Sequence, residues 1–282
     1  MRLLHGRPLA ERLGVRSRER SDALRGRGID PTLAAVSVGI DPAANTYLQR
    51  LVRSGKALGI SVRDVSLNRD ASEQTVMAEL DRASRDRSLH GVLLLTPLPG
   101  KLDEGHLVDH IAPGKDVEGV NPYNVGLLLD GRPRFVPSTA EAIVELLKFY
   151  ETPLAGVDVV VVGRSTVVGR PAAALLLNED ATVTIAHKRT ADTAALTRRA
   201  AVIVVAVGRA GFLTGAMITP GATVIDAGIN MTPAGIAGDV DADSVASVAG
   251  ALSPVPGGVG TVTTALLLRN VLTAAETQLA GG

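Results

Sequence analysis

Short runs of branched apolar residues alternate along this chain with longer stretches whose apolar positions recur at helical spacing, a pattern that predicts βαβ units stacked on a mostly parallel sheet. In the first half the pattern predicts a helix over about Leu9–Arg25, a strand at Leu33–Val38, a helix from about Ala43 to Leu58, a strand at Ser61–Ser66, a helix near Glu73–Arg85 and a strand at Gly91–Leu95. Two prolines in Thr96-Pro97-Leu98-Pro99-Gly100 then forbid continued pairing and predict an extended turn at the carboxyl end of that strand. Ligands of open α/β sheets bind at such ends. From Asp109 to Pro137, Pro and Gly interrupt every candidate element, so this stretch is expected to be loop-like and to lead into a second domain. There Glu141–Tyr150 reads as a helix, and Val157–Val162, Thr182–Ala186, Val202–Val207 and Thr223–Asp226 read as strands of a second βαβ array. Thr261–Leu279 is apolar at helical spacing with no strand after it, and is expected to pack back on the first domain as a closing helix. The expected division is residues 1–138, completed by 261–282, and residues 139–260.

Composition narrows this α/β reading. A chain of 282 residues suits two domains. With aromatics at 2% against 46% hydrophobic residues overall, the cores must be built from Val, Leu, Ile and Ala, as in buried parallel strands. Lys plus Arg and Asp plus Glu are each 29, so no global field gathers a nucleic acid or an acidic membrane. The absence of cysteine excludes disulfides and thiolate metal sites, and the five histidines show no metal-ligand spacing. The Arg-rich first helix lacks the apolar core of a signal peptide, and no apolar run is long enough to span a bilayer, so a cytoplasmic location is expected.

After the strand Val157–Val162 the chain reads Gly163-Arg164-Ser165-Thr166-Val167-Val168-Gly169 and enters an Ala/Leu-rich helix. A strand, a glycine turn and a helix N-terminus offer backbone N–H groups and a positive dipole end to a pyrophosphate. The spacing is not G-x-G-x-x-G, since Ser165 and Val168 stand at the second and third glycine positions, so the turn alone is a weak signal. Where an NAD site carries an acidic residue after the next strand, this chain has His187-Lys188-Arg189, which with Arg164 favours the 2′-phosphate of NADP. Gly208 and Gly228 follow two further strands, where backbone can close on a flat ring, and Ile229 is a candidate for contact with a nicotinamide.

Five motifs then occur in order: Val38-Gly39-x-Asp41-Pro42-Ala43-x₃-Tyr47; Thr96-Pro97-Leu98-Pro99; Lys115-Asp116-Val117-Glu118-Gly119 with Asn121-Pro122-Tyr123-Asn124; the glycine turn with Val168-Gly169-x-Pro171; and Pro254-Val255-Pro256-Gly257-Gly258-Val259-Gly260. In that order and spacing the chain resembles the methylenetetrahydrofolate dehydrogenase/cyclohydrolase (FolD) family over essentially its whole length. The resemblance implies a homodimer of chains with a three-layer α/β folate domain, a Rossmann-like NADP domain and a cleft between them. It implies oxidation of 5,10-methylenetetrahydrofolate and hydrolysis of the methenyl product to 10-formyltetrahydrofolate. It further implies a folate site drawn from Tyr47, Leu51, Leu94, Leu95, Thr96, Glu118 and Pro256-Gly257-Gly258-Val259-Gly260.

Matched residue by residue, Tyr47 takes the place of the family's ring-stacking tyrosine, but the catalytic lysine one helical turn later is Leu51, and its glutamine partner is Leu95. Glu118 stands for the pterin-binding aspartate, and Thr261 for a common proline. Lys56 lies about 180° around the helix from Tyr47 and cannot substitute, while Arg50 is near the right face but always charged, so it cannot accept a proton. The expectation is an NADP-dependent dehydrogenase with weak or lost cyclohydrolase activity. The alternatives are an enzyme passing the one-carbon unit to another nucleophile, such as an amine, and a non-catalytic folate-binding module.

Overall fold

The computed structural model describes residues 1–39, 41–100, 102–233 and 235–280, without the side chain of Ala43. That side chain, part of the first motif, and residues 281 and 282 of the expected closing segment lie outside the described residues. In chain order the elements are β1 (Arg2–Leu3), α1 (Arg7–Gly26), β2 (Thr32–Val38), α2 (Pro42–Leu58), β3 (Ser61–Leu67), α3 (Glu73–Arg85), β4 (Gly91–Leu94), α4 (Glu104–Val108), α5 (Pro122–Leu129) and α6 (Ser138–Phe149). There follow β5 (Asp158–Val162), α7 (Gly169–Asn178), β6 (Thr182–Ala186), α8 (Thr193–Thr197), β7 (Val202–Val205), β8 (Thr223–Asp226), β9 (Asn230–Thr232), β10 (Gly235–Ala237), α9 (Ala242–Ala246), β11 (Ala251–Leu252) and α10 (Val259–Ala280).

The chain divides into two compact units. One comprises residues 12–136 and the chain from Thr264 on; the other comprises Met1–Glu11 and Pro137–Thr263. The expected boundary therefore needs a correction at the N-terminus, because residues 1–11 join the second unit. The reason is pairing: β1 adds to β11 in parallel, Arg2 opposite Ala251 and Leu3 opposite Leu252. Two-residue strands carry no periodicity that sequence could reveal.

In the first unit a parallel sheet of order β3-β2-β4 sends alternate residues of β2 to opposite faces. Leu33 and Ala35 join a core with Leu48 and Leu51 of α2 and Leu267, Leu268, Val271 and Leu272 of α10. Ala34, Val36 and Val38 join a second core with Val76 and Leu80 of α3 and Leu107 of α4. The result is three layers, with α10 supplying part of one of them. Asn270 of α10 also donates from Nδ2 to the Val117 carbonyl at 3.0 Å.

The expectation of an irregular stretch from Asp109 to Pro137 is wrong at its centre. Asn121 caps α5 by accepting the Tyr123 N–H at 2.9 Å, and Pro122 occupies the first turn, where its missing N–H costs nothing. Gly126 is tolerated inside this short helix.

In the second unit the parallel strands run in the order β1-β11-β8-β7-β5-β6, and β9 and β10 form a separate antiparallel hairpin. From β5 the chain moves to β6 on one side and then returns to β7 on the other. That reversal places a switch point at the carboxyl ends of β5 and β7, where open α/β sheets bind ligands.

Candidate active site

The glycine turn sits at that switch point. Gly163 donates its N–H to the Ala186 carbonyl at 2.8 Å, so the turn and His187-Lys188-Arg189 leave neighbouring paired strands side by side. A Cβ at Gly163 would stand 2.2 Å from the Ala206 oxygen, and one at Gly169 would stand 2.3 Å from the Gly163 oxygen, so both positions demand glycine to let β7 and α7 close on β5.

One expectation about this turn needs correction. The first N–H groups of α7 are not the ones offered outward, because Ser165 Oγ accepts from Val168 at 3.1 Å and Gly169 at 3.3 Å, and the Ser165 carbonyl accepts from Arg170 at 3.0 Å. Pro171 has no N–H. A phosphate here would be met by the exposed residues 164–167 and by the Ser165 hydroxyl proton, which remains to donate because that oxygen is already an acceptor.

Arg164, Lys188 and Arg189 are exposed, and His187 is half-buried. His187 braces a tight turn: its Nδ1 accepts the Arg189 N–H at 3.2 Å, while its backbone N–H reaches Thr190 Oγ1 at 2.9 Å. The residues fit a dinucleotide with a 2′-phosphate: an exposed turn at a strand end, a hydroxyl donor and three exposed cations at adjoining strand ends.

Gly208 and Ile229 follow β7 and β8 at the same edge of the sheet. Gly208 has φ +66° with open space over its α-carbon, and Ile229 is 67% exposed. Ile229 also adjoins the start of α10, since its Cδ1 lies 3.8 Å from where a Cβ at Gly260 would be. The run before Gly260 is shaped by the N-terminal segment, whose Gly6 donates to the Gly257 carbonyl at 2.8 Å. A Cβ at Gly258 would meet the Pro254 oxygen at 2.6 Å. Val259 is buried, whereas Pro256 remains exposed.

In the first unit, Asp41 Oδ1 accepts the Ala44 N–H at 2.9 Å at the start of α2. Tyr47, on the helix's first turns, packs against the core cluster that contains both Leu51 and Leu95. Leu51 is fully buried and Leu95 is 4% exposed. Leu94 is buried too, at the end of β4, and Thr96 is exposed in the turn after it. Burial, and then the negative charge of Glu118, push the Tyr47 phenol well above its ordinary value, with Arg50 opposing, so the hydroxyl stays protonated.

Glu118 is half-buried on a turn built by its neighbour. Asp116 is wholly buried and accepts N–H groups from Gly119 at 3.0 Å, Val120 at 3.2 Å and Asn121 at 2.8 Å, together with Asn124 Nδ2 at 2.8 Å. Gly119 has φ +72°, and a Cβ there would lie 2.5 Å from the Val136 nitrogen. Lys115 donates to the Asp86 carbonyl at 2.6 Å. Lys115 and Asp116 thus hold the turn that carries Glu118, a division of labour that the motif does not reveal.

Two family models match the chain almost end to end. The tetrahydrofolate dehydrogenase/cyclohydrolase catalytic domain matches residues 4–118, and the NAD(P)-binding domain of the same family matches residues 137–279. The chain belongs to the tetrahydrofolate dehydrogenase/cyclohydrolase family. A "bifunctional protein FolD" from Roseiflexus sp. is 47% identical over 280 residues, covering 99% of this chain and 97% of the relative. Among solved structures, the bifunctional FolD of Campylobacter jejuni is similar with a TM-score of 0.96 and 37% identity, covering 98% of this chain and 99% of the other. The FolD of Trypanosoma brucei, solved with NADP cofactor and an inhibitor, has a TM-score of 0.92 and 33% identity over 98% of each chain.

Proposed function

We propose that the protein oxidises 5,10-methylenetetrahydrofolate to the 5,10-methenyl form with NADP, and that its cyclohydrolase activity is weak or lost. The observation that carries the second half is the complete burial of Leu51 together with Leu95 in one apolar cluster beneath Tyr47. NADP, when bound, supplies the hydride acceptor. The basic group Arg164, Lys188 and Arg189 favours its 2′-phosphate, in keeping with the trypanosomal relative solved with that cofactor.

Release of hydride from the methylene carbon is driven by the lone pair of the adjacent folate nitrogen, so the protein's task is to hold the reacting groups in a near-attack arrangement. Tyr47, neutral and half-buried, is assigned the face of the pterin, and Glu118 its polar edge. Hydrolysis of the methenyl cation asks for more. A water must be held and deprotonated, which needs a group able to take a proton near neutral pH. Leu51 and Leu95 offer no such atom, and Arg50 cannot release its own proton to become a base.

A cytoplasmic location is part of this proposal, and a homodimer is expected to elute at twice the monomer mass in light-scattering chromatography. Among the described residues no helix is long and apolar enough to cross a membrane. The deciding assay gives the purified protein 5,10-methylenetetrahydrofolate and NADP and follows NADPH and methenyltetrahydrofolate separately. NADPH formation with accumulating methenyltetrahydrofolate is expected. Conversion at full rate to 10-formyltetrahydrofolate would overturn the loss of hydrolysis. Failure to form NADPH would overturn the dehydrogenase assignment and turn attention to transfer of the carbon to another nucleophile.

A further inference from the structure

Two buried carboxylates lie beneath the strand ends that carry Gly208 and Ile229. Asp239 is fully buried, and its Oδ2 accepts the N–H groups of Val207 at 2.6 Å and Gly208 at 2.8 Å. Its Oδ1 accepts the Arg209 N–H at 2.8 Å and Asn230 Nδ2 at 2.8 Å. Asp226, 3% exposed, accepts from Gly228 at 2.9 Å and from the Asp239 N–H at 3.0 Å through Oδ1, and from Val240 at 3.0 Å through Oδ2. The β9–β10 hairpin brings this about by returning the chain from residue 232 to residue 235, so that Asp239 arrives under the turn that follows β7.

The glycines around this pair serve it rather than a ligand. A Cβ at Gly228 would stand 2.2 Å from Asp239 Cγ, and one at Gly238 would stand 1.9 Å from Asp226 Oδ2. The expectation that backbone at Gly228 closes on a flat ring is corrected accordingly, since its missing side chain is taken up by Asp239. Gly208 differs in having nothing over its α-carbon.

An ionised carboxylate away from water is costly, and a turn can be closed without one. Here Asp239 fills all its acceptor sites with groups from two different strand-end turns, and charge-assisted bonds of this kind fix geometry tightly. The two turns so joined carry Gly208 and Ile229, the surfaces assigned above to the nicotinamide ring.

We propose that Asp239 is a positioning residue for hydride transfer, tying the Val207–Arg209 turn to Asn230 so that Gly208 and Ile229 present one fixed surface to the nicotinamide, with Asp226 anchoring Asp239 through its backbone. This rests on the NADP-dependent reading. Neither carboxylate touches the reacting atoms; both act through the backbone they hold.

The test compares the full-length protein with Asp239→Asn, whose amide nitrogen cannot accept from the N–H groups now shared by one carboxylate oxygen. Two ligands are used: NADP, and 2′-phosphoadenosine 5′-phosphate, which has the adenosine end and no nicotinamide. The variant is expected to bind the fragment within about twofold of wild type, while kcat for methylenetetrahydrofolate oxidation falls on the order of 30-fold and the deuterium isotope effect on hydride transfer rises. Retained fragment binding also reports that the variant is folded. If Asp239→Asn does not fold, Asn230→Ala, at a half-buried position, removes one donor and is expected to lower kcat several-fold with fragment binding intact. An unchanged kcat in a folded variant, or fragment affinity lost in step with kcat, overturns the proposal. A wild-type protein that binds the fragment but oxidises no substrate overturns the dehydrogenase reading itself, and the positioning role falls with it.

Discussion

A lysine at position 51 would carry an ammonium into a site with no exposed surface, among Leu48, Leu95 and the α10 leucines. The cost of burying an unpaired charge predicts that Leu51→Lys lowers the unfolding free energy by on the order of 3 kcal/mol or more, read as a fall in the urea midpoint. Adding Leu95→Gln supplies an acceptor, so a double-mutant cycle is expected to return about 1 kcal/mol of that loss as coupling. Purely additive losses would mean that the two side chains do not meet. A second residue-scale prediction concerns Arg164 and Lys188. Replacing both by Ala removes charge that only a 2′-phosphate would use, and is expected to weaken NADP at least tenfold while leaving NAD within about twofold. Equal effects on both cofactors in a titration would reject the 2′-phosphate assignment.

At the scale of elements, the segment joining β8 to β10 has its own dependence on pH. Burial raises the Asp226 carboxyl to about 6 from an unfolded value of 3.8, with the Asp239 carboxylate adding to the rise and backbone N–H groups opposing it. An acid whose folded value is raised binds its proton more tightly in the folded state. Its contribution to stability is therefore full below about pH 4 and is lost as the pH rises through about 6. Denaturation curves at pH 7 and pH 5 are expected to show a larger acid-side gain in wild type than in Asp226→Asn; identical differences would contradict the raised value. The same segment shows where sequence stops being informative. The Val-rich strands β5 and β7 and the long helices were legible because their apolar patterns are local. The helix α5 was hidden by Pro122 and Gly126, which read as breakers although one sits in a first turn where proline belongs. Tyr47, the glycine turn and the basic run at 187–189 were legible as candidates. The roles of Asp116, Asp226 and Asp239 were not, because a carboxylate that accepts backbone N–H groups leaves no periodic trace, whether its partners are near in the chain, as Gly119 is to Asp116, or far, as Val207 is from Asp239.

For the whole molecule, the core of the first unit draws Leu267, Leu268, Val271 and Leu272 from a helix far away in the chain. A fragment of residues 12–136 would lack the α10 part of the layer that α10 shares with α2, and would expose the apolar residues that α10 covers. It is expected to aggregate or to lack a cooperative thermal transition, and to regain one when a peptide of residues 264–280 is supplied. A sharp transition in the fragment alone would show that α10 is dispensable. The placement of α10 also sets a clock on biosynthesis. A ribosome that has finished Val136 must add roughly 130 further residues before Leu267 is made, which at 5–20 residues per second is on the order of ten seconds. For that interval the β2 face of the first unit has α2 over it but lacks the α10 part of its cover. The nascent chain is therefore a natural client for a ribosome-bound chaperone during the second half of its own translation.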